Sequence, residues 1–124
     1  MEPKTNQHEC CPPKPSLMAR RLVNAAQAKD LAKLFKIFAS DTRLRLLHAL
    51  VRGQELCVTE LADAVGMKPQ AVSNQLQKLG DRGVLGGRRE GKNIYYRVDD
   101  PCVAELLDRG LCLMEDSQTR RKKK

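Results

Sequence analysis

The side chains in this sequence most able to hold a ligand are thiols, and they are unevenly placed. "HECCPPK" (His8 to Lys14) sets an adjacent pair, Cys10 and Cys11, just after a histidine. Cys57 follows in "ELCV", and Cys102 and Cys112 lie near the C-terminal end. The leading pair reads as a disulfide staple, as reactive thiols on an arm, or as half of a metal site completed elsewhere. Five cysteines cannot all pair within one chain. No signal-peptide pattern opens the sequence and no apolar run approaches the ~18 residues of a membrane span, so a cytoplasmic protein is the default. There, reduced thiols are expected, and metal binding or redox sensing comes ahead of structural disulfides.

The second chemistry is cationic. The formal charge is +8, and the last five residues, Arg120 to Lys124, supply +5 of it, leaving +3 elsewhere. That basic end reads as a solubilising tail. Between Lys68 and Arg97, seven basic residues meet two acidic ones, a local +5. Such clustering fits an anionic partner, nucleic acid being the commonest.

These residues need a frame to position them. With 124 residues and 3% aromatics, the chain has room for one domain whose core is Leu, Val, Ile and Ala, which suits helices. Residues 1–16 are polar, carry four prolines and read as a mobile arm. The domain is expected over 17–116 and the tail over 117–124. From Leu17 the pattern turns helical, with Leu31, Leu34, Phe35 and Phe38 on one stripe. Ser40 or Asp41 caps a second helix, with Leu44, Leu47, Leu50 and Val51 inward and Gly53 at its end. A short helix over Val58 to Val65 stops at Gly66. Pro69 suits the first turn of the next, whose inner face is Val72, Leu76 and Leu79. Val84-Leu85 and "IYYRV" (Ile94 to Val98) flank "REGKN" as a hairpin. Pro101 opens a last helix with Val103, Leu106, Leu107 and Met114 on one side.

The unit "VTELADAVGMKPQAVSNQLQKL" therefore has helix-turn-helix spacing. The outward face of its second helix carries Lys68, Gln70, Ser73, Asn74, Gln77 and Lys78. Amides bond bidentately to adenine, while hydroxyls and ammonium groups reach base edges or phosphates. A solvated polar face would look the same. The basic hairpin downstream, with Arg88, Arg89 and Lys92, favours a DNA-straddling wing. The fold expected is mainly α with a small β wing, a winged helix-turn-helix.

Three linked stretches resemble the ArsR/SmtB metal-responsive repressors: "LFKIFASDTRLRLLHAL" (Leu34 to Leu50), "ELCVTELADAVGMKPQAVSNQLQKL" (Glu55 to Leu79) and "GVLGGRREGKNIYYRV" (Gly83 to Val98). The resemblance covers roughly residues 31 to 100 in unbroken order. It implies a homodimer held by the first and last helices, bound to a palindromic operator. Lys68 departs from the family's usual Ser-like residue before the recognition helix.

The resemblance also bears on the thiols. Its cadmium/lead (CadC-like) and arsenic branches carry "ELCVC". Here Cys57 is kept and Thr59 replaces the second cysteine, while the N-terminal "HxCC" resembles the arms of the soft-metal sensors. The implied site is Cys10, Cys11 and Cys57, with His8 as a fourth candidate ligand. Three thiolates suit Cd(II), Pb(II) and As(III), and an added imidazole suits Zn(II) or Cd(II). The family's other metal site, between paired last helices, resembles a degraded one here. By register Asp100 and Cys102 hold its first two places, Leu113 and Asp116 its last two, and Leu cannot ligate. Cys102 is a weak auxiliary candidate, Cys112 reads as an interface residue, and His48 as an ordinary packed or half-exposed one.

The expected function is a repressor, not an enzyme, that leaves its operator when a soft metal ion binds its thiolates as inducer. A repressor of the same fold answering thiol oxidation or sulfide is the nearest alternative. A metal-storage or delivery protein is a more distant one.

Overall fold

The computed structural model describes residues 13–123. His8, Cys10 and Cys11 lie outside the described residues. Five helices and three short strands follow in order: α1 (Ala25–Phe38), α2 (Asp41–Gly53), β1 (Leu56–Cys57), α3 (Val58–Val65), α4 (Pro69–Asp81), β2 (Leu85–Glu90), β3 (Asn93–Val98) and α5 (Pro101–Lys123). The strands form one antiparallel sheet in the order β1-β3-β2.

Caps at α1 and α2 and a proline at α4 mark where these helices start. Asn24 and Gln27 form a reciprocal capping box at α1: the Gln27 N–H donates to Asn24 Oδ1 at 2.8 Å, and the Asn24 N–H to Gln27 Oε1 at 3.0 Å. This delays α1 to Ala25, later than the Leu17 start read from apolar pattern. Leu17 to Ala19 make only a turn. Ser40 Oγ caps α2 by accepting the Arg43 N–H. Gly66, at φ 69°, ends α3 in the left-handed conformation that a side chain would strain. Pro69 occupies the first turn of α4.

The core is aliphatic, as its composition requires. Leu46, Leu50, Leu61, Val65, Val72 and Leu76 lock α2, α3 and α4 together. Phe38, Leu47, Leu79, Val84 and Val103 join α1, α2, α4, the residue before β2 and α5 in a second cluster. Leu47 and Leu50 are fully buried as expected, but Leu44 is 37% exposed and Leu46 takes the inner place on α2. Leu44 turns instead toward a groove between α1 and α5. There most of the α1 stripe also lacks cover: Leu31, Leu34 and Phe35 are 41–46% exposed, and only Phe38 is buried.

Two further expectations change. "REGKN" is mostly strand, because Glu90 pairs with Asn93 and leaves only Gly91-Lys92 as the turn. Gly91 at φ 64° is the only turn residue with positive φ, the pattern of a two-residue II′ turn, whose twist suits a hairpin. The basic residues expected as a tail from 117 continue α5 to Lys123. Lys and Arg are good helix formers and favour a helix C-terminus, so nothing there ends the helix earlier.

Candidate functional site

On α4 the residues expected to read DNA share the side of the helix opposite its buried face. Gln70, Asn74, Gln77 and Lys78 are exposed and Ser73 is half-buried, while Val72, Leu76 and Leu79 anchor the opposite face. Gln70 Nε2 donates to Asn74 Oδ1 at 3.2 Å, an i,i+4 pair that holds two amides side by side. Lys68 precedes the helix in an extended conformation, and its side chain makes no cap bond. Gln75, not among the residues expected from the sequence, ties α4 to α2. Its Oε1 accepts the Arg43 Nε–H at 2.9 Å, and Arg43 also donates to the Ile37 carbonyl at 3.2 Å. One guanidinium thus joins the end of α1, the start of α2 and α4.

The wing's three cations are not equivalent. Arg88 Nε lies 3.0 Å from Glu55 Oε1 and its NH1 lies 2.7 Å from Glu90 Oε1, with the guanidinium 5.1 Å from the Tyr95 ring centroid. The bonds to Glu90 and then Glu55 hold the guanidinium even more firmly protonated than usual. Arg97 bonds Asp99 at 2.6 Å and reaches Glu55 at 3.8 Å. Arg89 and Lys92 are exposed and take part in no salt bridge among the described residues. Arg88, expected to face DNA, is thus first a clip between the wing and the segment before α3. Glu55 and Tyr95 complete that clip. Their only signal in the sequence was adjacency to Cys57 and alternation along β3.

Cys57 is 8% exposed and stands at the head of α3, where its N–H donates to Glu60 Oε1 at 3.0 Å. It pairs across the sheet with Tyr95, which in turn pairs with Arg88. Directly opposed residues share a face of a sheet, so Cys57, Tyr95 and Arg88 form one row from the helix-turn-helix to the wing. The strand β1 that creates this row was not anticipated, being only two residues long.

Cys102 and Cys112 are exposed on α5, ten residues and therefore about 15 Å of helix rise apart, so they do not meet within one chain. Cys112 Sγ contacts Asp116 Oδ2 at 3.7 Å. Asp100 Oδ1 accepts the Cys102 N–H at 2.9 Å, serving the start of α5. Leu113 is 64% exposed. Among the described residues, no three His, Cys, Asp or Glu side chains converge as a metal cluster. His48 is exposed beside the α1/α5 groove.

Residues 40–85 match the model of a bacterial regulatory protein family, the arsR family. The structure of the AntR antimony-specific transcriptional repressor is 59% identical, covers 88% of this chain and 98% of its own, and superposes with a TM-score of 0.74. The chain belongs to the ArsR family. The homodimeric winged helix-turn-helix DNA-binding domain Mb0332 of Mycobacterium bovis is 30% identical over 82% of this chain and 94% of its own, at a TM-score of 0.68. The cadmium resistance regulatory protein CadC homolog of Staphylococcus aureus is 35% identical over 64% of this chain. The chain spans 66% of that relative's length and 60% of another's. ArsR-family relatives are transcriptional regulators rather than enzymes, and the winged fold expected from sequence is the one observed. Among the described residues, no helix is long and apolar enough to cross a membrane.

Proposed function

We propose that this ArsR-family chain is a homodimeric repressor that holds a palindromic operator and releases it when a soft metal or metalloid ion binds its cysteine thiolates. The single observation that carries the release mechanism is the Cys57–Tyr95–Arg88 row. Cys57 heads the first helix of the helix-turn-helix and is paired with the wing strand. Any ligand that pulls on this sulfur acts on both DNA-contacting elements together.

The donor chemistry favours Cd(II), Pb(II), Zn(II), As(III) or its heavier congener Sb(III), since soft ions bond strongly to polarizable sulfur. Cys57 alone is too weak a site. Cys10 and Cys11, with His8 as a further candidate, would supply the remaining donors from the N-terminal segment of one protomer or the other. Cys102 is held in reserve as an auxiliary ligand. Linkage of 1–3 kcal/mol between ion and operator, roughly 5- to 150-fold in affinity, is typical of such coupling.

Dimerisation is supported by the groove between α1, α2 and α5. It measures about 440 Å³ and is lined by Phe35, Phe38, Leu44, Leu106, Leu107 and Met114. An uncovered apolar surface of this kind favours a partner. A second copy covering both grooves would set the two recognition helices toward successive major grooves.

The test is a titration of the reduced full chain with Cd(II), followed in the ultraviolet, where thiolate-to-metal charge transfer counts the sulfurs. Three thiolates per ion, lost together in Cys57→Ser, support the site. An unchanged signal in Cys57→Ser would refute it.

A further inference from the structure

A second strongly charged surface lies away from the wing. The last turns of α1 and α4 and the first turn of α2 enclose a cleft of about 340 Å³ lined by Lys33, Lys36, Arg43, Lys78 and Arg82 against one acid, Asp81. Part of this has a bland explanation. Lys36 and Lys78 sit in the final turns of their helices, where the helix dipole favours a cation. The dipole does not explain why two helix C-termini and the start of a third converge with five cations and one carboxylate. None of the salt bridges among the described residues involves these cations, since all of them lie around the wing. A net +4 gathered in one cleft is self-repelling until an anion enters it.

Position identifies the anion. Ala71, Gln75 and Lys78 share one flank of α4, and Arg82 follows at the same spacing just beyond its last residue. Lys78 is four residues from Asn74, about 40° around the helix from the outward amides. An α-helix with its side chains is 10–12 Å across and the major groove about 12 Å wide, so a helix lying in that groove brushes a phosphate wall on each flank. The cleft is built on one of those flanks. The Arg43 bridge to Gln75 and Ile37 holds α1 against it, bringing Lys33 and Lys36 alongside Arg82.

We infer that this cleft grips the phosphate backbone bordering the groove occupied by α4, extending the DNA footprint onto α1 and α2. The partner is duplex DNA and the ligand chemistry is the phosphodiester anion. This inference rests on the DNA-binding reading above and adds Lys33, Lys36 and Arg82 to the DNA-facing surface, with Arg43 as a positioning residue. Bonds to phosphate carry no base information, so the cleft contributes affinity and orientation, not sequence choice.

The test uses the full chain and a mixed-sequence duplex of about 30 base pairs, roughly three turns. Fluorescence anisotropy is read over a salt series. A variant carrying Lys33→Gln, Lys36→Gln and Arg82→Gln is compared with wild type. A control carrying Arg52→Gln, Arg109→Gln and Arg120→Gln removes equal charge elsewhere. All six residues are exposed, and urea midpoints check that both variants keep their fold. The cleft variant should flatten the dependence of log K on log salt by about 0.9 for each phosphate it no longer neutralises, while the control keeps nearly the wild-type slope. The single change Lys36→Gln should flatten it by about 0.9, the share of one phosphate. A wild-type slope in the cleft variant overturns the inference, as does an equal flattening in both triple variants, which would mark bulk charge. Absence of salt-dependent binding by the wild type would remove the DNA-binding reading itself, and the inference with it.

Discussion

At the scale of single residues, the chain separates cations that are occupied from cations that are available. Arg88 spends its hydrogen bonds on Glu55 and Glu90 and stacks over Tyr95. Arg89, its neighbour, is exposed and outside every salt bridge among the described residues. Replacing Arg89 with Ala should therefore free one phosphate, lowering affinity about equally on all duplexes and the salt slope by about 0.9. Arg88→Ala should change the slope less, because its charge is already compensated, and should instead loosen the wing. Hydrogen exchange of the β2 and β3 amides checks this: faster exchange is expected in Arg88→Ala and in Glu55→Gln, and unchanged exchange in Arg89→Ala. The sequence showed three wing cations as equals. Which one is neutralised depends on a two-residue strand bringing Glu55 to the wing, and no periodicity announces so short a strand.

At the scale of elements, most of the architecture was legible. Ser40, Gly66, Pro69 and Pro101 are backbone signals with local causes, and α2 to α5 begin or end at them. Sequence pattern and structure part where tertiary context or a longer-range partner decides. Leu44 and Leu46 compete for the inner face of α2, and packing against α3 and α4 selects Leu46. The hairpin is longer than its apolar content suggested, because Gly91 lets the strands close immediately beyond Glu90 and Asn93. Gly66 tests the importance of such backbone positions. A Cβ there meets no neighbour within 4 Å, so Gly66→Ala carries only the conformational cost of φ 69°, roughly 1–2 kcal/mol. Urea unfolding should show a lowered midpoint with an unchanged slope, which locates the effect in stability rather than in compactness.

At the scale of the whole molecule, the described residues leave an apolar groove exposed. Phe35, Leu106, Leu107 and Met114 line this groove, which no other described residue covers, and Leu31 and Leu34 extend the α1 stripe. If a second copy covers it, Phe35→Glu places a charge in an apolar interface and should convert a dimer to a monomer by sedimentation. Operator affinity should fall with it, since two half-sites are then no longer read together. The thiol site was legible as a set of residue types but not as a geometry. Cys57 is placed among the described residues, and its expected partners His8, Cys10 and Cys11 are not.

The central claim is that Cys57 and the N-terminal thiols switch the DNA-binding elements. Its most direct test is the anisotropy of a preformed complex of the reduced full chain with operator duplex, titrated with Cd(II) and separately with a trivalent metalloid. Wild type should leave DNA at low ion concentration. Cys57→Ser, and the double change Cys10→Ser with Cys11→Ser, should each stay bound. Because both act on one site, combining them should add little to either alone. Release of both variants at the wild-type ion concentration would contradict the account and move the switch to the exposed thiols of α5, Cys102 first.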